Sequence, residues 1–210
     1  MKLARFALIL LASTAAAGSA TAQKPMQATT DDGQRVVLRP DGTWKYVGEV
    51  PDSVPRDGQY QRPAASTAQM VILPGVQLFY DPHKWKPTED HERGRLGLEH
   101  VAGDGYALII KERLQMKLDA IRLIAIKNAL AAAPDAEIVS QDIRKVNGSD
   151  VICLRIEGTT SGVPFTYLGY YWTGPAGTVQ LVTYTGQNLY DEYKADFLNL
   201  LNGLTIDTGE

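Results

Sequence analysis

The sequence predicts an α+β domain in which an antiparallel sheet is flanked by a long middle helix and a C-terminal amphipathic helix. The first supporting observation is a series of short runs rich in β-branched and aromatic residues, separated by glycine-containing turns. The others are two stretches with apolar residues at helical spacing, one near the middle of the chain and one near its end. Of the 210 residues, 44% are hydrophobic and 21% are charged, an ordinary composition for a water-soluble globular protein.

The first 22 residues have the pattern of a cleaved export signal. Lys2 and Arg5 form a basic start, residues 6–11 an apolar core, and Ala20-Thr21-Ala22 a small-residue cleavage site. The apolar run is far shorter than the roughly 20 residues that cross a bilayer, so we expect removal of this segment and no transmembrane anchor. The expected compartment is the bacterial periplasm.

Residues 23–47 predict a small β-hairpin. Val36 and Leu38 can share a face with Trp44 and Tyr46, on either side of a Pro40-Asp41-Gly42 turn. A lone two-stranded hairpin is marginal in water, so we expect this face to dock on the main domain or on a partner. Residues 48–68 contain three prolines and no apolar period, which is typical of a flexible linker.

The main domain is predicted over residues 69–206, followed by a short tail, 207–210. Its first strands are expected at 75–80, 95–101 and 106–112, and a helix at 114–133 that ends before Pro134. Four antiparallel strands follow at 136–146, 150–158, 166–173 and 178–185, with Asn147-Gly148 as a two-residue hairpin turn. Asn188 is the expected N-cap of a closing helix with an apolar stripe formed by Tyr190, Tyr193, Phe197, Leu200, Leu201 and Leu204.

This order of elements resembles the PsbP-like family, which includes the photosystem II extrinsic protein PsbP and the bacterial envelope protein DcrB. Three stretches carry the resemblance: GVQLFYDPHKW, VNGSDVICLRIEG and FTYLGYYWTGPAGTVQLVTYTGQNLYDEYKADFLNLLNGL. The resemblance implies the fold and an accessory or binding role, because most members have such roles and the motifs contain no catalytic signature. The DGTW stretch is similar to a short element of exported bacterial proteins.

The composition excludes several functional classes. A single cysteine, Cys153, rules out a disulfide scaffold and a multi-cysteine metal site, and it is expected to be a structural thiol on a strand. A net charge of −3 argues against sequence-independent binding to nucleic acid. Neither a Gly-x-Ser-x-Gly elbow nor a phosphate-binding glycine loop is present, so no cofactor is expected.

The chain has three histidines, His83, His91 and His100. They suggest an alternative function, that of a metal-dependent or hydrolytic enzyme. The run Glu89-Asp90-His91-Glu92 contains ligands suited to zinc or manganese. Adjacent residues cannot all converge on one ion, however, so a solvated polar loop is the favoured interpretation of this run.

Aromatic residues are concentrated in the strand at 166–173. Alternation places Tyr170 and Trp172 on one face and Tyr167 and Tyr171 on the other. These residues could fill a core, or they could line a groove for a peptide, lipid or glycan.

The predicted function is therefore a non-enzymatic accessory protein that contacts another envelope component. The candidate contacts are the hairpin, an exposed sheet edge and the aromatic strand, and a small-ligand carrier is a further alternative. The candidate surface residues are Trp44, Tyr46, Tyr167, Tyr171 and Trp172.

Overall fold

A computed structural model of the chain describes residues 26–29, 35–38, 44–46, 56–90 and 95–207. The strands are β1 (Met26–Thr29), β2 (Arg35–Leu38), β3 (Trp44–Tyr46), β4 (Arg56–Tyr60), β5 (Ala68–Leu73), β6 (Val76–Tyr80), β7 (Trp85–Asp90), β8 (Arg95–His100), β9 (Tyr106–Glu112), β10 (Glu137–Val146), β11 (Ser149–Thr160), β12 (Val163–Gly174), β13 (Gly177–Gly186) and β14 (Leu204–Ile206). The helices are α1 (Leu118–Ala132) and α2 (Tyr190–Leu201), the latter preceded by a 3₁₀ turn at Gln187–Leu189.

The main domain is built on an eight-stranded sheet in the order β4-β10-β11-β12-β13-β9-β8-β7. All its pairs are antiparallel except β4 with β10. Strands β10 to β13 form a continuous meander, as the sequence predicts. Asn147 and Gly148 have φ of 47° and 90°, the left-handed conformation that a two-residue hairpin turn requires at both positions.

Each face of this sheet has its own core. Helix α1 packs on β10, β11 and β12 on one face, where Tyr171 belongs to the core. Helix α2 and the small sheet β14-β6-β5 cover the other face, where Tyr170 and Trp172 are buried. The α+β class and the two-face alternation of β12 are therefore confirmed.

The middle helix is shorter than predicted, because it begins at Leu118 and not at residue 114. The preceding backbone is bonded to threonine side chains of β12 and β13. Thr178 Oγ1 donates to the Leu114 carbonyl at 2.7 Å, and Thr173 Oγ1 donates to the Met116 carbonyl at 2.9 Å. These bonds hold the segment along the end of the sheet.

The start of the last helix also differs from the prediction. Asn188 lies within the 3₁₀ turn, and neither this turn nor α2 has a side-chain cap hydrogen bond. The apolar stripe of α2 is as predicted, with Tyr193, Phe197 and Leu201 among its buried residues.

The segment 48–68 is not entirely a linker, since β4 lies within it and β5 begins at its end. Strand β4 is an edge strand held by remote partners. Arg56 Nη1 lies 3.0 Å from Asp150 Oδ2, and the Asn147 N–H donates to the Tyr60 carbonyl at 2.9 Å. The local sequence carries no sign of these contacts. Strands β1, β5, β7 and β14 are likewise absent from the sequence-based prediction.

The N-terminal strands form a separate three-stranded antiparallel sheet, β1-β2-β3. Its register places Val36 opposite Tyr46 and Leu38 opposite Trp44. The docking of this sheet stays a prediction, and the predicted export signal lies outside the described residues. Within the part of the chain that is described, neither helix combines the length and apolarity needed to cross a bilayer.

Candidate binding surface

Two of the residues predicted to line a binding surface belong to the core instead. Tyr171 is 3% exposed and lies in the core that α1 covers, whereas Trp172 is 7% exposed and lies in the core on the opposite face. The Trp172 ring lies so close to Gly174 that a Cβ there would be 2.3 Å from the ring. Their assignment as surface residues is corrected accordingly. Trp44 and Tyr46 are located in β3, and their role on a surface stays a prediction.

Tyr167, in contrast, is half-buried and belongs to a line of aromatic side chains across three strands. Tyr167 on β12 pairs with Tyr184 on β13, and Tyr184 pairs with Tyr106 on β9. The ring centroids of Tyr106 and Tyr184 are 5.3 Å apart with an interplanar angle of 24°, and those of Tyr184 and Tyr167 are 5.8 Å apart. Phe165 extends the line, with its ring 6.5 Å from that of Tyr167. We call these four residues the aromatic row.

The aromatic row lies on the α1 face of the large sheet, beside the strands that α1 covers. Among the described residues, Tyr106, Phe165 and Tyr184 belong to neither core. On the same face, Leu108 pairs with Val182, and both are half-buried. The row therefore continues into an apolar surface along β9 and β13.

The ring stacking determines which atoms the aromatic row offers to a ligand. In a stacked pair the ring faces contact each other, so the edges and the phenol hydroxyls remain for other contacts. Burial raises the pKa of Tyr184, and the neighbouring Tyr106 and Tyr167 raise it further. Tyr184 is therefore a neutral phenol at neutral pH, able to donate and to accept a hydrogen bond.

Polar side chains border the row on β8 and β7. Glu99 pairs with Tyr106, and Lys86 pairs with Glu99; both side chains are exposed. The surface thus has an apolar centre and a charged border of both signs, the arrangement found in protein–protein interfaces.

The histidines do not form a comparable site. His100 is 5% exposed; its Nε2 lies 3.1 Å from Asp196 Oδ2, and its Nδ1 accepts the Ala102 N–H at 3.2 Å. This geometry assigns the ring proton to Nε2, and both ring nitrogens are engaged by the protein. Lys84 Nζ also contacts Asp196, at 3.2 Å.

His83 is exposed and contacts a different carboxylate, that of Asp81, at 3.2 Å. Over the described ranges, no group of three or more His, Cys, Asp or Glu side chains is placed to hold a metal ion. His91 and Glu92 lie outside the described residues, and the interpretation of that run stays a prediction.

A cleft of about 120 Å³ lies next to Asp196 and is lined by Pro63, Ala65, Ser66, Asp81, Lys84, Trp85, Asn199 and Leu200. Its volume is well below the roughly 300 Å³ at which small-molecule sites begin.

Cys153 is unsuited to act as a nucleophile, because burial raises the pKa of its thiol to about 12 and a nucleophile must be a thiolate.

Part of the aromatic row could have been found from the sequence. The turn at 174–177 fixes the register of β12 and β13 and so pairs Tyr167 with Tyr184. Tyr106 could not be added in this way, because β9 and β13 are separated by α1 and other strands in the chain.

No protein-family model matches the sequence, and no curated protein matches it either. The solution structure of cyanobacterial PsbP (CyanoP) from Synechocystis sp. PCC 6803 is similar, with a TM-score of 0.54 and 13% sequence identity over 69% of this chain and 95% of that one. LpqN of Mycobacterium tuberculosis, involved in cell envelope biogenesis, aligns with a TM-score of 0.46 and 13% identity over 66% of this chain and 91% of its own. The similarity to CyanoP confirms the PsbP-like fold.

Proposed function

We propose that the chain is a non-enzymatic accessory protein, exported to the periplasm, that binds another protein of the cell envelope through the aromatic row. The observation that carries this proposal is the half-buried aromatic row on the part of the sheet beside α1. Soluble monomeric proteins seldom leave contiguous apolar side chains unburied unless a partner covers them.

A protein partner fits this surface better than a glycan. Sugar rings stack on exposed aromatic faces, whereas the stacked rings of Tyr106 and Tyr184 leave mainly edges and hydroxyls. Tyrosine in this setting supplies apolar contact area and hydrogen bonds at low entropic cost, which explains its enrichment in protein interfaces.

The free edges of the large sheet are less suited to this role. Pro87 lies in β7, where it removes a backbone donor, and β7 also carries charged residues. In β4, Gly58 has a φ of 31° and the register with β10 is irregular. Such features prevent strand addition.

The geometry of His100 supports a non-enzymatic role. A general base needs a ring nitrogen free to take a proton from the substrate. In His100, Nε2 is held by Asp196 and Nδ1 by the Ala102 backbone, so the imidazole anchors α2 to the end of β8.

The test is capture of envelope proteins by the exported chain, with crosslinking, using the wild type and the Tyr106→Ser and Tyr184→Ser variants. We expect the wild type to retain a defined partner and each variant to lose it, because each opens a gap in the aromatic row. Phe79→Ser removes a half-buried aromatic side chain on the small sheet and is the matched control. Circular dichroism melting must show that all three variants fold.

Equal retention by the wild type and by both tyrosine variants would contradict the proposal. A defined partner lost only in Phe79→Ser would move the interface to the small sheet. A turnover abolished by His100→Gln in a folded protein would support the enzymatic alternative instead.

A further inference from the structure

Strand β5 is a free edge of a different kind from β4 and β7. The small sheet has the order β14-β6-β5, so that, among the described strands, β5 pairs with β6 alone. Its six residues, AQMVIL, include no charge, no proline and no glycine. The opposite edge of the small sheet, β14, has only three residues. Of the four free edges of these two sheets, β5 alone has six residues without charge, proline or glycine. Its pairing with β6 is regular from Ala68 to Val71, and the register shifts only between Val71 and Leu73.

The side chains of β5 are also suited to a neighbouring strand. Val71 is 62% exposed, more than any other large hydrophobic residue of the strands from β4 to β14 whose exposure is described. Ala68 and Met70 are only partly buried against the main core. A strand added beside β5 would cover Val71 on the outer face and extend the core at Met70, because neighbouring strands lie about 4.8 Å apart.

We propose that β5 pairs with β5 of a second copy of this chain, antiparallel about a two-fold axis. The two small sheets would then form one six-stranded sheet, with β5 of each copy at its centre. A second copy is the occupant that the chemistry favours, since an uncharged strand meets no repulsion from itself and supplies the β-branched and apolar residues that its neighbour needs.

This dimer uses the small sheet and goes beyond the proposed function, which uses the large one. Each dimer would carry two aromatic rows, so a partner that presents two copies of its own site would bind with avidity. Pairing of one short strand is a small interface, and we expect a dissociation constant in the micromolar range, about 10–100 µM.

The first measurement is sedimentation velocity of the full exported chain between about 1 µM and about 1 mM, a range that brackets this dissociation constant. We expect a reversible shift from monomer to dimer. Val71→Lys places two like charges at the new strand pair and should weaken the dimer at least about tenfold. Val71→Thr keeps a β-branched residue at this position, so this variant should still form the dimer. Val163→Lys is the matched control, because Val163 is 50% exposed on an inner strand.

Hydrogen exchange at both ends of this concentration range locates the interface. We expect the outward amides of residues 68–73 to gain protection at high concentration. A chain that stays monomeric at about 1 mM overturns the proposal. A dimer that Val71→Lys leaves intact, or that forms without new protection in β5, also overturns it.

Discussion

Replacing Asn147 tests how one turn residue joins three parts of the fold. Its side-chain Nδ2 donates to the Asn202 carbonyl at 2.9 Å and to the Leu204 carbonyl at 2.7 Å, and its Oδ1 accepts the Arg62 N–H at 2.8 Å. The residue thus connects the β10–β11 turn to the end of α2, to β14 and to the chain after β4. Its φ of 47° is left-handed, a conformation that asparagine tolerates better than alanine does.

The expected loss in the free energy of unfolding follows from these contacts. Each hydrogen bond contributes about 0.5–1.5 kcal/mol, so the loss of three lowers the free energy of unfolding by about 3 kcal/mol. The left-handed backbone adds about 1 kcal/mol for alanine and little for glycine. We therefore expect Asn147→Ala to cost about 4 kcal/mol and Asn147→Gly about 3 kcal/mol. In a domain of this size the alanine variant should melt about 10 °C lower.

Urea unfolding followed by circular dichroism measures these differences. Gly148→Ala provides the control, since Gly148 has a φ of 90° and no neighbouring atom lies within 4 Å of the position that a Cβ would take, so it isolates the backbone effect. If Asn147→Gly unfolds within about 0.5 kcal/mol of the wild type, the side-chain bonds do not join these segments and the reasoning is wrong.

Four further predictions concern buried and partly buried side chains. Because burial raises the pKa of Cys153 to about 12, DTNB at pH 8 should label the protein in urea but not when folded; rapid labelling of the native protein would contradict this. The folded state holds this thiol proton more tightly than the unfolded state does, so stability should fall as pH rises from about 9 towards 12. Arg144→Met removes the ion pair of Arg144 Nε with Asp142 at 2.7 Å and the contact of Arg144 with Asp57 on β4. We expect the free energy of unfolding to fall by about 2 kcal/mol and amide exchange in β4 to become faster. Unchanged exchange in β4 would show that Arg144 does not hold this strand. Tyr171→Ala should destabilise the fold by about 3–5 kcal/mol and Tyr167→Ala by less than half of that, and equal melting of the two variants would refute the distinction between core and surface.

Much of the fold can be predicted from the sequence, because many of its strands pair with strands that are next to them in the chain. Strands β10 to β13 are joined by short turns, and residues such as Asn147 and Gly148 determine their register without help from the rest of the chain. The alternation of Tyr170 and Tyr171 between two faces follows from the same rule. In contrast, β4 pairs in parallel with β10, more than 80 residues further along, and no local pattern predicts such a pairing.

The binding surface was harder to predict than the fold, since burial depends on which element covers a face. Tyr167 and Tyr171 share a face of β12 and have the same chemistry, yet Tyr171 is a member of the core and Tyr167 is only partly buried against it. The difference arises from the path of α1, which starts beside Thr173 on β12 and ends beside Thr160 on β11, with hydrogen bonds to the carbonyls of Met116 and Ala132. Sequence periodicity contains neither the start of that helix nor its path across the sheet.

Geometry explains why part of this face is open. A helix about 10 Å wide covers two or three strands, whereas eight strands spaced about 4.8 Å apart extend over about 34 Å. On β7 and β8 the exposed positions of this face carry polar residues, including Lys86, Thr88 and Glu99. On β9 and β13, at paired positions on the same face, are the half-buried Tyr106 and Tyr184. The partner that we propose for the aromatic row would account for aromatic side chains at these positions.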